Sequence, residues 1–164
     1  MRPIALALTL LVLATACENS KDPFLFGLGG GGGGAVTQTQ ASGNWSLTVR
    51  KTTTLACSGG SLADGSVLTA HLDVLADGTV NTSTSNWQHP PTTVVFPLSG
   101  TVSLSTGATD LFLSAGSGTG SGMELRGTIT STGTLTGTLT DPGAGLSPMF
   151  SAGGCEYSTS GTKA

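Results

Sequence analysis

From Met123 to Thr140 the chain alternates so strictly that only one kind of backbone accommodates it. Met123, Leu125, Gly127 and Ile129 share one parity, while Glu124, Arg126 and Thr128 take the other. After Ser131-Thr132-Gly133 the pattern resumes, with Leu135, Gly137 and Leu139 set against Thr134, Thr136, Thr138 and Thr140. Successive side chains of a strand point to opposite faces, so a period of two yields one apolar and one polar face. A helix would scatter the same residues around its circumference. Two half-buried strands joined by a tight turn are expected, and the rest of the chain must fold in a way that covers their apolar face.

The same period recurs elsewhere. Trp45, Leu47 and Val49 share a face between residues 44 and 50, and Thr53, Leu55 and Cys57 mark a second short strand. A third carries Leu68, Ala70, Leu72 and Val74 inward, with Thr69, His71 and Asp73 outward. Further strands are expected over 79–85, around Leu111 and Leu113, and over 155–159 with Cys155 and Tyr157 inward. The stretch 94–104 puts Val94, Phe96, Leu98, Gly100, Val102 and Leu104 inward and Pro97 outward. Inward glycines at Gly100, Gly127 and Gly137 call for sharp curvature or close backbone approach.

The connections are legible too. Leu62-Ala63-Asp64-Gly65-Ser66-Val67 is repeated as Leu75-Ala76-Asp77-Gly78-Thr79-Val80, and both copies place Asp-Gly where a tight turn needs positive φ. Asn86-Trp87-Gln88-His89-Pro90-Pro91 reads as a stiffened loop. Its Trp87 is either a recognition tip or a plug folded back over one end of the core. Short strands and turns with no convincing helix among them predict an all-β antiparallel meander of about eight or nine strands, a closed barrel with a β-sandwich as the alternative.

Only 9% of the chain is charged and it holds 26 glycines, a composition that would suit disorder if the apolar residues did not alternate. Six Lys/Arg against nine Asp/Glu give a formal charge of −3, which excludes a basic nucleic-acid footprint. Ahead of the strands, Arg2, the apolar run Ile4 to Leu13 and the small residues Ala14-Thr15-Ala16 read as a helical signal peptide over 1–16, too short for a permanent span. Residues 17–40, with six consecutive glycines at Gly29 to Gly34, read as a flexible Gly-rich linker, and residues 41–164 as one β domain. Phe24-Leu25-Phe26 either dips into a membrane interface or docks on the domain.

Ala14-Thr15-Ala16-Cys17 resembles the lipobox of bacterial lipoproteins. The resemblance implies cleavage before Cys17 and lipid on that residue, and hence anchoring to the cell envelope. Glu18, in a Gram-negative host, implies the outer membrane. With Cys17 so assigned, Cys57 and Cys155 remain as an even pair in an oxidising compartment and are expected to form a disulfide. Gly43-Asn44-Trp45 resembles the G-x-W that opens lipocalins and avidins, and Thr109-Asp110-Leu111-Phe112 resembles a second lipocalin motif with Phe112 in place of its tyrosine. The last strand carries no counterpart of the lipocalin arginine, so the likeness bears on barrel architecture rather than on ligand identity.

Two functions follow as expectations. One is a lipid-anchored extracytoplasmic barrel that binds a small apolar ligand or a surface protein at a mouth near Trp45, Trp87, His89 and Phe96. The other is an envelope lipoprotein with a filled core that meets partners through its Thr-rich outer wall. An enclosed apolar cavity of a few hundred Å³ separates them. No GxSxG, HExxH or Walker pattern occurs, and Asp64, Asp77 and Asp141 read as turn formers, so no enzyme is expected. His71 and His89 without a CxxC are too few for a metal site, and no cofactor is expected.

Overall fold

A computed structural model describes residues 34–52, 62–115, 122–141 and 154–164 of the chain. The leader, Cys17, Phe24 to Phe26, the strand expected over 53–57 and Cys57 itself lie outside them. Among the described residues a four-residue helix, α1 (Gln38–Ala41), precedes eight strands: β1 (Gly43–Lys51), β2 (Val67–Leu72), β3 (Asn86–Gln88), β4 (Phe96–Val102), β5 (Ala108–Ser114), β6 (Gly122–Ile129), β7 (Thr134–Asp141) and β8 (Cys155–Lys163). Each strand pairs antiparallel with the next, and β1 pairs with β8, so the sheet closes into a barrel. Of the two architectures the pattern left open, the barrel is the one adopted.

Alternation fills the inside. Trp45, Leu47, Leu68, Leu72, Leu98, Leu111, Leu113, Leu125, Ile129, Leu135, Leu139 and Tyr157 are all essentially inaccessible. Hydroxyl and charged side chains cover the outer wall, the reverse of a barrel that faces lipid. An eight-stranded barrel has an interior just wide enough for side chains to fill. Gly127 and Gly137 face each other across β6 and β7, where a Cβ on either would lie under 3 Å from the partner's Cα. The inward glycines therefore mark close backbone approach rather than spare room.

Four expectations need correction. Residues 79–85 form no strand. Val74 bridges to Val80 and Thr79 to Thr101, and the polar run beyond Val80 hydrogen-bonds locally instead of laddering. Trp87 belongs to a strand rather than a loop, because β3 turns it into the core. The long strand begins only at Phe96, so Val94 is exposed instead of inward. Finally, the ordered domain starts before residue 41. Val36 is buried and its N–H donates to the Leu104 carbonyl (2.9 Å), while Gln40 reaches the Ser131 carbonyl (3.0 Å). Thr37 and Gln40 form a reciprocal capping box around the single turn of α1. A Gly-rich stretch can end in a docked cap when an apolar residue and a capping pair follow it.

Candidate functional site

The strand directions define two ends. The α1 end collects α1, the start of β1, the turns before β5 and β7 and the end of β8, while the far end collects the start of β2, the end of β5 and the β3–β4 connection. The register then brings three of the four expected ligand residues into one inward row: Trp45 pairs with Ala70, Ala70 with Trp87, and Trp87 with Phe96. Ala70 is the small residue that lets two indoles flank it. Trp87 stacks on Phe96 with ring centroids 5.3 Å apart.

Both indoles are tied to the backbone. Trp45 Nε1 donates to the Ala41 carbonyl (3.0 Å), at the α1 end. Trp87 Nε1 donates to the Ser114 carbonyl (2.7 Å), where β5 finishes at the far end. A buried indole N–H needs such a partner, and here each partner is main chain. The row thus packs and closes the core at both ends. Phe96 remains half-buried at the rim. His89 is not in the row. It sits in the β3–β4 connection, where its carbonyl accepts from Thr92.

The outward residues with chemical potential are held apart. His71 Nδ1 lies 2.7 Å from Asn44 Oδ1 across β1 and β2. The Asp73 carboxylate instead accepts from Asn81 (3.0 Å) and Thr84 (2.6 Å). His71 and Asp73, neighbours on the sequence pattern, are therefore engaged in separate networks. Asp64 accepts from the Lys51 N–H (2.9 Å), and Asp77 accepts from the Thr79 N–H (2.9 Å), as turn residues do. The backbone hydrogen bond from Thr79 holds the Asp77 carboxyl below its ordinary range, with the Thr79 side chain adding to it. Arg126 on β6 pairs with Glu124 (2.5 Å) beside Asp110, and the Glu124 carboxylate raises the guanidinium pKa.

No family model, curated protein or solved structure matches the chain. The site must therefore be read from its own geometry.

Among the described residues, two hollows mark the surface. One, of about 610 Å³, opens at the α1 end among Ser42, Asn44, His71, Asp73 and Lys163, whose Nζ donates to the Thr39 carbonyl. The other, of about 400 Å³, lies on the outer wall over β1, β8 and β7 and is rimmed by Ser46, Thr48, Thr134, Thr136, Ser160 and Thr162. Alternation alone marked these hydroxyls as outward. What it lacked was the β1–β8 pairing, which sets residues 46–48 beside residues 160–162.

Cys155 opens β8, is buried, and is disulfide-bonded. Its partner lies outside the described residues.

Proposed function

We propose that this chain is a lipid-anchored extracytoplasmic barrel that acts as an interaction module of the bacterial envelope, meeting its partner through the outer wall and not through an internal ligand. One observation carries the choice: the inward row of Trp45, Ala70, Trp87 and Phe96 is packed and tied to the main chain at both ends. Anchoring draws on the signal-peptide pattern and on the resemblance of Ala14 to Cys17 to a lipobox. Several acyl chains, each contributing about 0.8 kcal/mol per buried methylene, make a durable anchor. Cys57 is the partner we assign to Cys155, which leaves Cys17 for lipid.

Labelled palmitate fed to bacteria expressing the full-length chain or its Cys17→Ser variant tests the anchor. Label on the parent alone is the expected result, and equal label on both removes the lipid from this account. A small apolar ligand at the rim is the second reading, favoured by the half-buried Phe96 beside Trp87. Native mass spectrometry of the purified protein separates the two, since a co-purified apolar molecule is expected only on the second.

A further inference from the structure

The hollow at the α1 end holds charge differently from the rest of the described surface. Arg50 pairs with Asp64 (3.8 Å) and Arg126 with Glu124 (2.5 Å), each on exposed side chains. Lys163 and Asp73 line one hollow and are both half-buried, yet neither makes an ion pair with the other or with any described residue.

The backbone builds this arrangement. The Lys163 stem leaves β8 and lies over Gly43 of β1, where a Cβ would fall 2.8 Å from Lys163 Cε. Gly43 also has φ of 122°, so the position refuses a side chain on two counts. Because Gly43 pairs with Leu72, the ammonium is carried toward the end of β2, and Asp73 is the next residue there.

Both charged groups keep unused capacity. The Lys163 ammonium donates to the Thr39 carbonyl, with its other N–H groups unengaged among the described residues. The bonds from Asn81 and Thr84 both fall on Asp73 Oδ2, so Asp73 Oδ1 has no partner among the described residues. Two neutral side chains repeat the division. With His71 Nδ1 donating to Asn44 Oδ1, the Asn44 amide is left as a donor and His71 Nε2 as an acceptor in the neutral ring. Residues from β1 and β8 therefore offer donors to the hollow, and residues from β2 offer acceptors.

A ligand that satisfies both sides carries an anionic and a cationic group. Its carboxylate meets Lys163 and Asn44, and its ammonium meets Asp73 and His71. A simple anion would face Asp73 and a simple cation Lys163, so each half alone is opposed by a like charge. The volume, about 610 Å³, is that of a small-molecule site. We infer that the α1-end hollow binds a small zwitterion, an amino acid or a short peptide, between Lys163 and Asp73. No member of the packed aromatic row lines it, so the site goes beyond the outer-wall reading and stands independently of it.

Calorimetric titration of the full chain with glycine and, separately, with glycylglycine provides the test. Binding of at least one is expected, and the tighter of the two shows which separation of charges the hollow accepts. N-acetylation or C-amidation of that ligand is expected to weaken binding at least about tenfold, as losing one charge-assisted contact implies. Rising salt weakens it as well. Lys163→Met keeps the stem over Gly43 without the charge and is expected to give the same tenfold loss, whereas Lys51→Met, at the other end of β1, leaves binding intact. Circular dichroism checks that both variants fold, and the capped ligands put the same question to the parent protein. Binding of neither ligand, capped forms that bind as well as the free one, or undiminished binding by a folded Lys163→Met each overturns the zwitterion site. Palmitate labelling reports the anchor separately, so either can fail without the other.

Discussion

Trp45 and Trp87 flank Ala70 in a single cross-strand row, yet their indole N–H groups are fixed to carbonyls at opposite ends of the barrel, Ala41 and Ser114. The pair spans the core and joins both rims to it. Each is nearly inaccessible, at 1% and 5% exposure. Replacing either by Phe keeps an aromatic ring but removes the donor and part of the volume, so Trp45→Phe and Trp87→Phe should each lower stability by about 2–3 kcal/mol in urea unfolding. Fluorescence of the parent should resist quenching by acrylamide, and ready quenching of either residue contradicts the packed row.

The repeated hexapeptide offers an internal control on backbone strain. Gly65 and Gly78 occupy the same place in the two copies and have φ of 78° and 86°. A Cβ at Gly65 meets only the movable Arg50 guanidinium at 3.2 Å, whereas at Gly78 it falls 2.3 Å from the Val102 carbonyl oxygen. Gly65→Ala is expected to cost about 1 kcal/mol, from φ alone, and Gly78→Ala about 3 kcal/mol or more. Equal losses in thermal unfolding count against the second contact.

Acid should weaken the Asp77 turn. Its folded pKa lies below the ordinary 3.8, first because the Thr79 N–H donates to the carboxylate. A carboxylate with a depressed folded pKa contributes fully above its unfolded pKa and loses that contribution as pH falls through the folded value. The melting temperature of Asp77→Asn should therefore depend less on pH than that of the parent below about pH 4. A parent and variant that shift in parallel through that range would rule the carboxylate out as a contributor.

The cap at the α1 end should behave as part of the domain. Thr37→Ala removes the side chain that receives the Gln40 N–H, and a lost N-cap costs about 1 kcal/mol. Faster proteolysis between residues 34 and 42, with the barrel core still resistant, is the expected readout. An unchanged cleavage rate would return the segment to the linker.

Most of the barrel was legible because one face of each strand had to be apolar. Trp45, Leu47 and Val49, or Leu135 and Leu139, admit no other register, since a slip of one residue would turn the whole set outward. Legibility failed where burial depended on a distant partner. Trp87 looked like loop because Pro90-Pro91 follows it at once, and only its pairing with Ala70 and Phe96 makes it core. Val36 looked like tether because glycines precede it, and only the Leu104 carbonyl and the rim of the barrel show otherwise. The hydroxyl rim of the outer-wall hollow was half visible, as alternating threonines on β7. Its other half comes from strands that begin and end the domain, and local periodicity holds no information about that pairing.

The ladder between β1 and β8 has one more consequence, for the order in which the molecule is made. Lys51 aligns with Tyr157 and Trp45 with Lys163, so the sheet cannot close until the last nine-residue strand is present. Until then β1 and β7 each present an unpaired edge, the geometry most prone to pairing with another chain. A growing polypeptide therefore holds no finished sheet at any intermediate length, and a chain cut short before Cys155 has lost its seal along with both ladders that β8 makes, to β1 and to β7. Until β8 is in place the sheet stays open, and closure is the final act.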